Sequence, residues 1–107
     1  MLPEMLVATA FDFSLLRGVR PIAAGAWEDV TRVTAFRGTE DSPAALHLRL
    51  RLRSGKTFVA HEDAPGWEDF LAAAEDALAG FPAQTEWVAQ LDAQPASADE
   101  VVIYQPT

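Results

Sequence analysis

Residues 46–53 read LHLRLRLR, an unbroken alternation of leucine with histidine or arginine. Only an extended chain sorts these two sets, because successive side chains of a strand point to opposite faces. Leu46, Leu48, Leu50 and Leu52 therefore share one face, and His47, Arg49, Arg51 and Arg53 the other. A strand covered on both sides would be apolar throughout, so this one is half-covered and antiparallel. Beyond Ser54-Gly55 a second extended run, KTFVAH, leads back, and near Ala64 the hydrophobic period changes from 2 to 3.6. Hairpin and then amphipathic helix is the reading for Leu46 to Leu78.

The turn admits two registers. A two-residue Ser54-Gly55 loop pairs Leu52 with Thr57 and puts Val59 and His61 among the leucines. A three-residue loop closed by a glycine bulge pairs Leu52 with Phe58, brings Ala60 to the leucine face and leaves Val59 and His61 with the arginines. The second is favoured, because burying Phe58 removes more apolar area from water than burying Thr57.

In the helix, Trp67, Phe70, Leu71, Ala74, Leu78 and Phe81 form one apolar stripe at i, i+3, i+4, i+7, i+11 and i+14. Asp63, or failing that Ala64, is the expected cap, with Pro65 in the first turn and Glu68 and Asp69 at the positive end of the dipole. Gly80 and Pro82 mark the stop.

Around this centre the pattern is less regular. Leu6 to Phe13 reads as a strand. Arg17 to Gly25, with two glycines and Pro21, reads as a turn or an irregular extended crossing. Trp27 and Val30 suggest a single turn feeding a strand over Thr31–Phe36, where β-branched residues favour extension. Gly38 to Pro43 is a polar connection, Thr85 to Leu91 a short second helix, Gln94 to Asp99 a loop and Val101 to Tyr104 a last strand. Together these segments predict a single α+β domain over residues 1–107. Its antiparallel sheet of about four to six strands is packed on one main amphipathic helix, whose stripe meets the leucine face of the hairpin.

Sixteen acidic residues against eight basic ones give a net charge of −8. Nucleic acid and anionic membranes are poor partners for such a chain, because phosphate recognition needs a basic excess. Cysteine is absent, which removes thiolate catalysis, disulfides and cysteine-ligated zinc. No signal-peptide pattern and no apolar run of spanning length occurs, so a cytoplasmic location is expected.

The order Trp27-Glu28-Asp29-Val30 with Val33, the Ser54-Gly55 hairpin, His61-Glu62-Asp63, Gly66-Trp67, Trp87 and Val102-Ile103-Tyr104 resembles a family of small bacterial proteins of uncharacterised function. A tryptophan before a strand, then a hairpin and a helix, also resembles bacterial pleckstrin-homology-like domains, although here the chain continues past the helix into another strand. The resemblances imply a fold and bring no catalytic residue with them.

Five residues stand out as candidates for a ligand or partner surface. Arg49, Arg51 and Arg53, with Lys56, place half of the basic residues within eight positions, either as an anion-binding ladder or as a solvated outer face paired with acids. His61 lies beside Glu62 and Asp63, but neighbours on a strand point apart, and capping accounts for Asp63, Glu68 and Asp69. The three tryptophans read first as core anchors; Trp87, on the shorter helix, is the one of them best placed to be partly exposed and available to a partner, and Trp67 is expected to be buried. No nucleophile elbow, phosphate loop or spaced histidine pair occurs. No catalytic, cofactor-binding or metal-ligating residue is assigned, and no cofactor is expected. The expected function is a small acidic protein-binding or regulatory module, with a small-molecule or anion binder using Arg49, Arg51 and Arg53 as the alternative. An enzyme built on His61 ranks last. Self-association through an unpaired edge strand is a further expectation.

Overall fold

The computed structural model describes residues 4–37, 45–93 and 100–105. The expected connections Gly38–Pro43 and Gln94–Asp99 lie outside the described residues. Among the described residues, seven strands and two α-helices make an α+β fold in which every strand pairing is antiparallel. The strands divide into two sheets. One has the order β1-β2-β3, from Glu4–Ala8, Asp12–Arg17 and Arg20–Ala26. The other has the order β6-β5-β4-β7, from Thr57–His61, Leu46–Leu52, Val30–Arg37 and Glu100–Tyr104.

The three-stranded sheet departs from the sequence reading of the N-terminus. The expected strand Leu6–Phe13 is broken at Thr9, whose hydroxyl accepts the amides of Phe11 and Asp12 and donates to the Asp12 carboxylate. A threonine satisfying two backbone donors in this way makes a turn competitive with extension. Of the turn or irregular extended crossing expected over Arg17–Gly25, the turn occurs at Gly18-Val19, and the rest is a regular strand that returns as β3.

In the four-stranded sheet the leucine alternation is realised. Leu46, Leu48, Leu50 and Leu52 are buried with Val33, Ala35, Phe58 and Ala60. The hairpin has the three-residue type of loop, but it spans Arg53 to Gly55, so Leu50 rather than Leu52 lies opposite Phe58. Gly55, with φ 93, takes the left-handed position at the end of the loop and closes it one residue sooner than expected. The shift is two positions, so every side chain keeps its face, and Val59 and His61 do share the arginine side.

Helix α1, Trp67–Ala77, buries Trp67, Phe70, Leu71 and Ala74, and the stripe continues through Leu78 and Phe81. It has no side-chain cap at Asp63 or Ala64: the capping position is Gly66, at φ 91. Residues 61–67 first make a tight turn, with the Ala64 amide donating to the His61 carbonyl. Pro65 then gives its carbonyl to the amide of Leu6 at 2.8 Å. The helix thus starts where the chain is pinned to β1, a tertiary contact no capping pattern encodes.

Phe13 of β2 joins the layers. Its ring centroid lies 4.5 Å from Trp27, 4.7 Å from Phe58 and 5.9 Å from Phe70. Phe58 and Phe70 stack at 6.0 Å, which sets α1 against the leucine face of the hairpin. Trp27, in the single 3-10 turn before β4, donates its indole N–H to the Thr9 carbonyl at 2.9 Å. Helix α2, Gln84–Asp92, folds back with Trp87 and Leu91 inward. Among the described residues, no helix is long and apolar enough to cross a membrane.

Candidate functional site: the outer face of the four-stranded sheet

The leucines cover the core with one face of this sheet and leave the other to the alternate residues. Strand pairing places them in rows. Arg32 of β4 lies opposite Arg51, and Arg51 opposite Thr57. Thr34 lies between Arg49 and Val102, and Arg49 is opposite Val59. Phe36 lies between His47 and Glu100, and His47 is opposite His61.

The row of rings is ordered. Phe36 and His47 stack with centroids 5.0 Å apart, and His61 follows at 5.8 Å from His47. His47 is buried despite being on the outer face, and its Nδ1 lies 3.0 Å from the Ala45 carbonyl oxygen. That oxygen can only accept, so this nitrogen carries the proton. Arg49 sets its guanidinium 4.7 Å from the Phe36 ring centroid and bonds Glu100 at 2.7 Å, both partners about half exposed.

The three arginines singled out in the sequence part company. Arg49 is held by Glu100 and Phe36. Arg51 is exposed and Arg32 opposite it half-buried, and among the described residues neither has a carboxylate partner. Arg53 lies past the end of β5 and donates to the Glu28 carbonyl at 3.2 Å, tying the hairpin to the 3-10 turn. A ladder of three converging guanidiniums does not form. Val59 and Val102, 39% and 46% exposed, add apolar area among the charges.

His61 is half-buried beside His47, whereas Glu62 turns away and accepts the Leu46 amide at 2.9 Å. Glu62 lines a separate cleft with Trp67, Glu68, Asp69 and Gln84 at the start of α1. Histidine and carboxylate therefore do not converge, and among the described residues no group of three His, Asp or Glu side chains is placed to hold a metal.

Trp87 takes the core reading rather than the partner-surface one: it is fully buried, edge-on to Trp67 at 6.4 Å, and is no part of an exposed surface. Its i, i+4 spacing to Leu91 carried that signal, since two large apolar residues one turn apart make an inward face. Sequence reasoning placed His47 on the outer face but missed its burial, and it did not bring Arg32 and Phe36 to the candidate surface. Strand parity alone places Phe36 opposite to Val33 and Ala35, but its meeting with His47 depends on the β4–β5 register.

The chain was compared with known proteins. No family model, no curated protein and no solved structure matches it.

Proposed function

We propose that the chain is a cytoplasmic, non-enzymatic protein-binding module that presents the outer face of the β6-β5-β4-β7 sheet to an acidic segment of a partner protein. The observation that carries this reading is the pair Arg32–Arg51. Like charges directly opposite on neighbouring strands are destabilising, and a chain with sixteen carboxylates leaves this pair without one among the described residues. A stability-neutral surface would have spent an acid there; a surface that receives an acidic partner would not. The aliphatic exposure of Val59 and Val102 beside Arg49 supports a protein rather than a small anion as the occupant, because protein interfaces mix apolar contact with charge. The divergence of Arg49, Arg51 and Arg53 weighs the same way, since a phosphate or carboxylate ligand is held best by converging donors.

Affinity capture with the wild-type chain and an Arg32→Glu/Arg51→Glu variant tests the proposal, with each captured protein then titrated in purified form. A partner bound through an acidic segment, weakened by added salt and lost in the variant, is the expected result. A partner held equally by both forms moves the interface off this face and overturns the reading. Tight binding of inorganic phosphate that needs Arg51, with no protein captured, replaces it with the small-anion alternative.

A further inference from the structure

The three-stranded sheet has an outer face of opposite character. Its inward residues, Leu6, Phe13 and Leu15, enter the core. The alternate residues are Met5 and Val7 of β1, Ser14 and Leu16 of β2, and Ala24 of β3. The register shift between Leu15 and Leu16 leaves Ile22 as an extra residue on β3, and a bulge of this kind turns Pro21 and Ile22 toward the side of Leu16. Met5, Val7 and Ile22 are 40%, 38% and 41% exposed, and Val19 at the adjoining turn is 96% exposed. Among the described residues, no charged side chain interrupts this face between its ends, although 22% of the chain is charged. At the strand ends, Asp12 has the parity of this face, whereas Glu4, Arg17 and Arg20 fall in a row of the opposite parity.

We infer that this face is the contact surface for a second copy of the chain, packed face to face about a two-fold axis near Ser14. Two observations choose a second copy over other occupants. The face is self-complementary, because an uncharged surface meets its own image without repulsion. Counting Val19, the patch amounts to roughly 500 Å² per protomer, so that two copies together reach about 1,000 Å², the lower bound of a specific interface.

The geometry also says how the copies meet. Lateral joining of β3 to its image would extend the sheet, but Pro21 lacks an amide hydrogen and the bulge at Ile22 bends the strand, two devices that blunt an edge. On the other edge, the Leu6 amide of β1 already bonds Pro65. Self-association thus uses the face and not the edge strand that the sequence suggested. Being on a different sheet, this surface is independent of the cationic face.

Sedimentation equilibrium of the full chain, up to about 1 mM because an interface of this size gives micromolar to millimolar affinity, is the first test. A mass approaching twice 11.6 kDa is expected. It should fall to that of the monomer in Val7→Lys/Ile22→Lys and be unchanged in Arg51→Glu. Because the chain has no cysteine, a second measurement needs no destabilising change: Ser14→Cys should form an intermolecular disulfide on mild oxidation, well ahead of Arg51→Cys on the other sheet. A chain that stays monomeric throughout, and so leaves the face to a different protein or to a segment of its own chain, overturns the inference. So does a dimer that survives the lysine variant, or equal cross-linking of the two cysteine variants.

Discussion

Gly66 is the position where one methyl group should do the most damage. Two separate constraints act on it. Its φ of 91 lies in the left-handed region, which costs an alanine about 1–2 kcal/mol. In addition, a Cβ on Gly66 would overlap the carbonyl oxygen of Leu6. The obstacle is backbone and cannot rotate away, so β1 must retreat. Retreat sacrifices the Leu6–Pro65 hydrogen bond, worth about 1 kcal/mol, and loosens the packing of buried Leu6. The expected cost of Gly66→Ala is therefore about 3 kcal/mol, the sum of the conformational and contact penalties. Gly55 supplies the control, since it has the same backbone angle, φ 93, with nothing within 4 Å of a new Cβ. Gly55→Ala should cost only the conformational part, about 1–2 kcal/mol. For a chain of 107 residues each kcal/mol lowers Tm by about 4 °C. Thermal and urea unfolding should thus separate the two variants by roughly 4–8 °C, with Gly66→Ala the weaker. Equal losses would refute the argument that β1 is clamped to the start of α1.

The Trp87 side chain, fully buried, has an indole N–H without a hydrogen-bond partner among the described residues. Trp87→Ala should cost about 3–5 kcal/mol in urea unfolding, whereas Trp87→Phe, which removes the unmet donor with part of the area, should cost far less; similar losses for both would contradict this account. The Arg49–Glu100 pair, about half exposed on both sides, should show a coupling of about 0.5 kcal/mol in a double-mutant cycle, and the coupling should vanish in high salt. Arg49→Ala should be the costlier single change, because it also uncovers the Phe36 ring. A coupling that persists in salt would mean that the pair is shielded from solvent.

Legibility in the sequence followed the strength of the periodic signal. The LHLRLRLR run could be assigned residue by residue, since leucine and arginine contrast maximally and the period of 2 tolerates no other backbone. The stripe from Trp67 to Phe81 was as clear. The first 26 residues were not, for identifiable reasons. Thr9 makes its turn with a side chain, and β3 is built of Pro21, Ala23, Ala24 and Gly25, which are small or weak strand formers and show no alternation. The candidate site was half legible. Arg49 and Arg51 came from β5 alone, but Arg32 and Phe36 join them only through pairing, and Arg53 leaves them because the strand ends at Leu52.

The sequence by itself determined which side of each strong element turns inward, because the alternation of hydrophobicity is a property of one segment and its local geometry. Tertiary structure decided what each of those sides meets. It split the strands into two sheets, closed Trp87 against Trp67, and pinned Leu6 to Pro65 at the head of α1. It set two arginines, neither with a carboxylate partner among the described residues, opposite one another. Each of these outcomes is a relation between residues distant in the chain, fixed by register and close packing of the whole core, and no periodicity within a single segment contains that information.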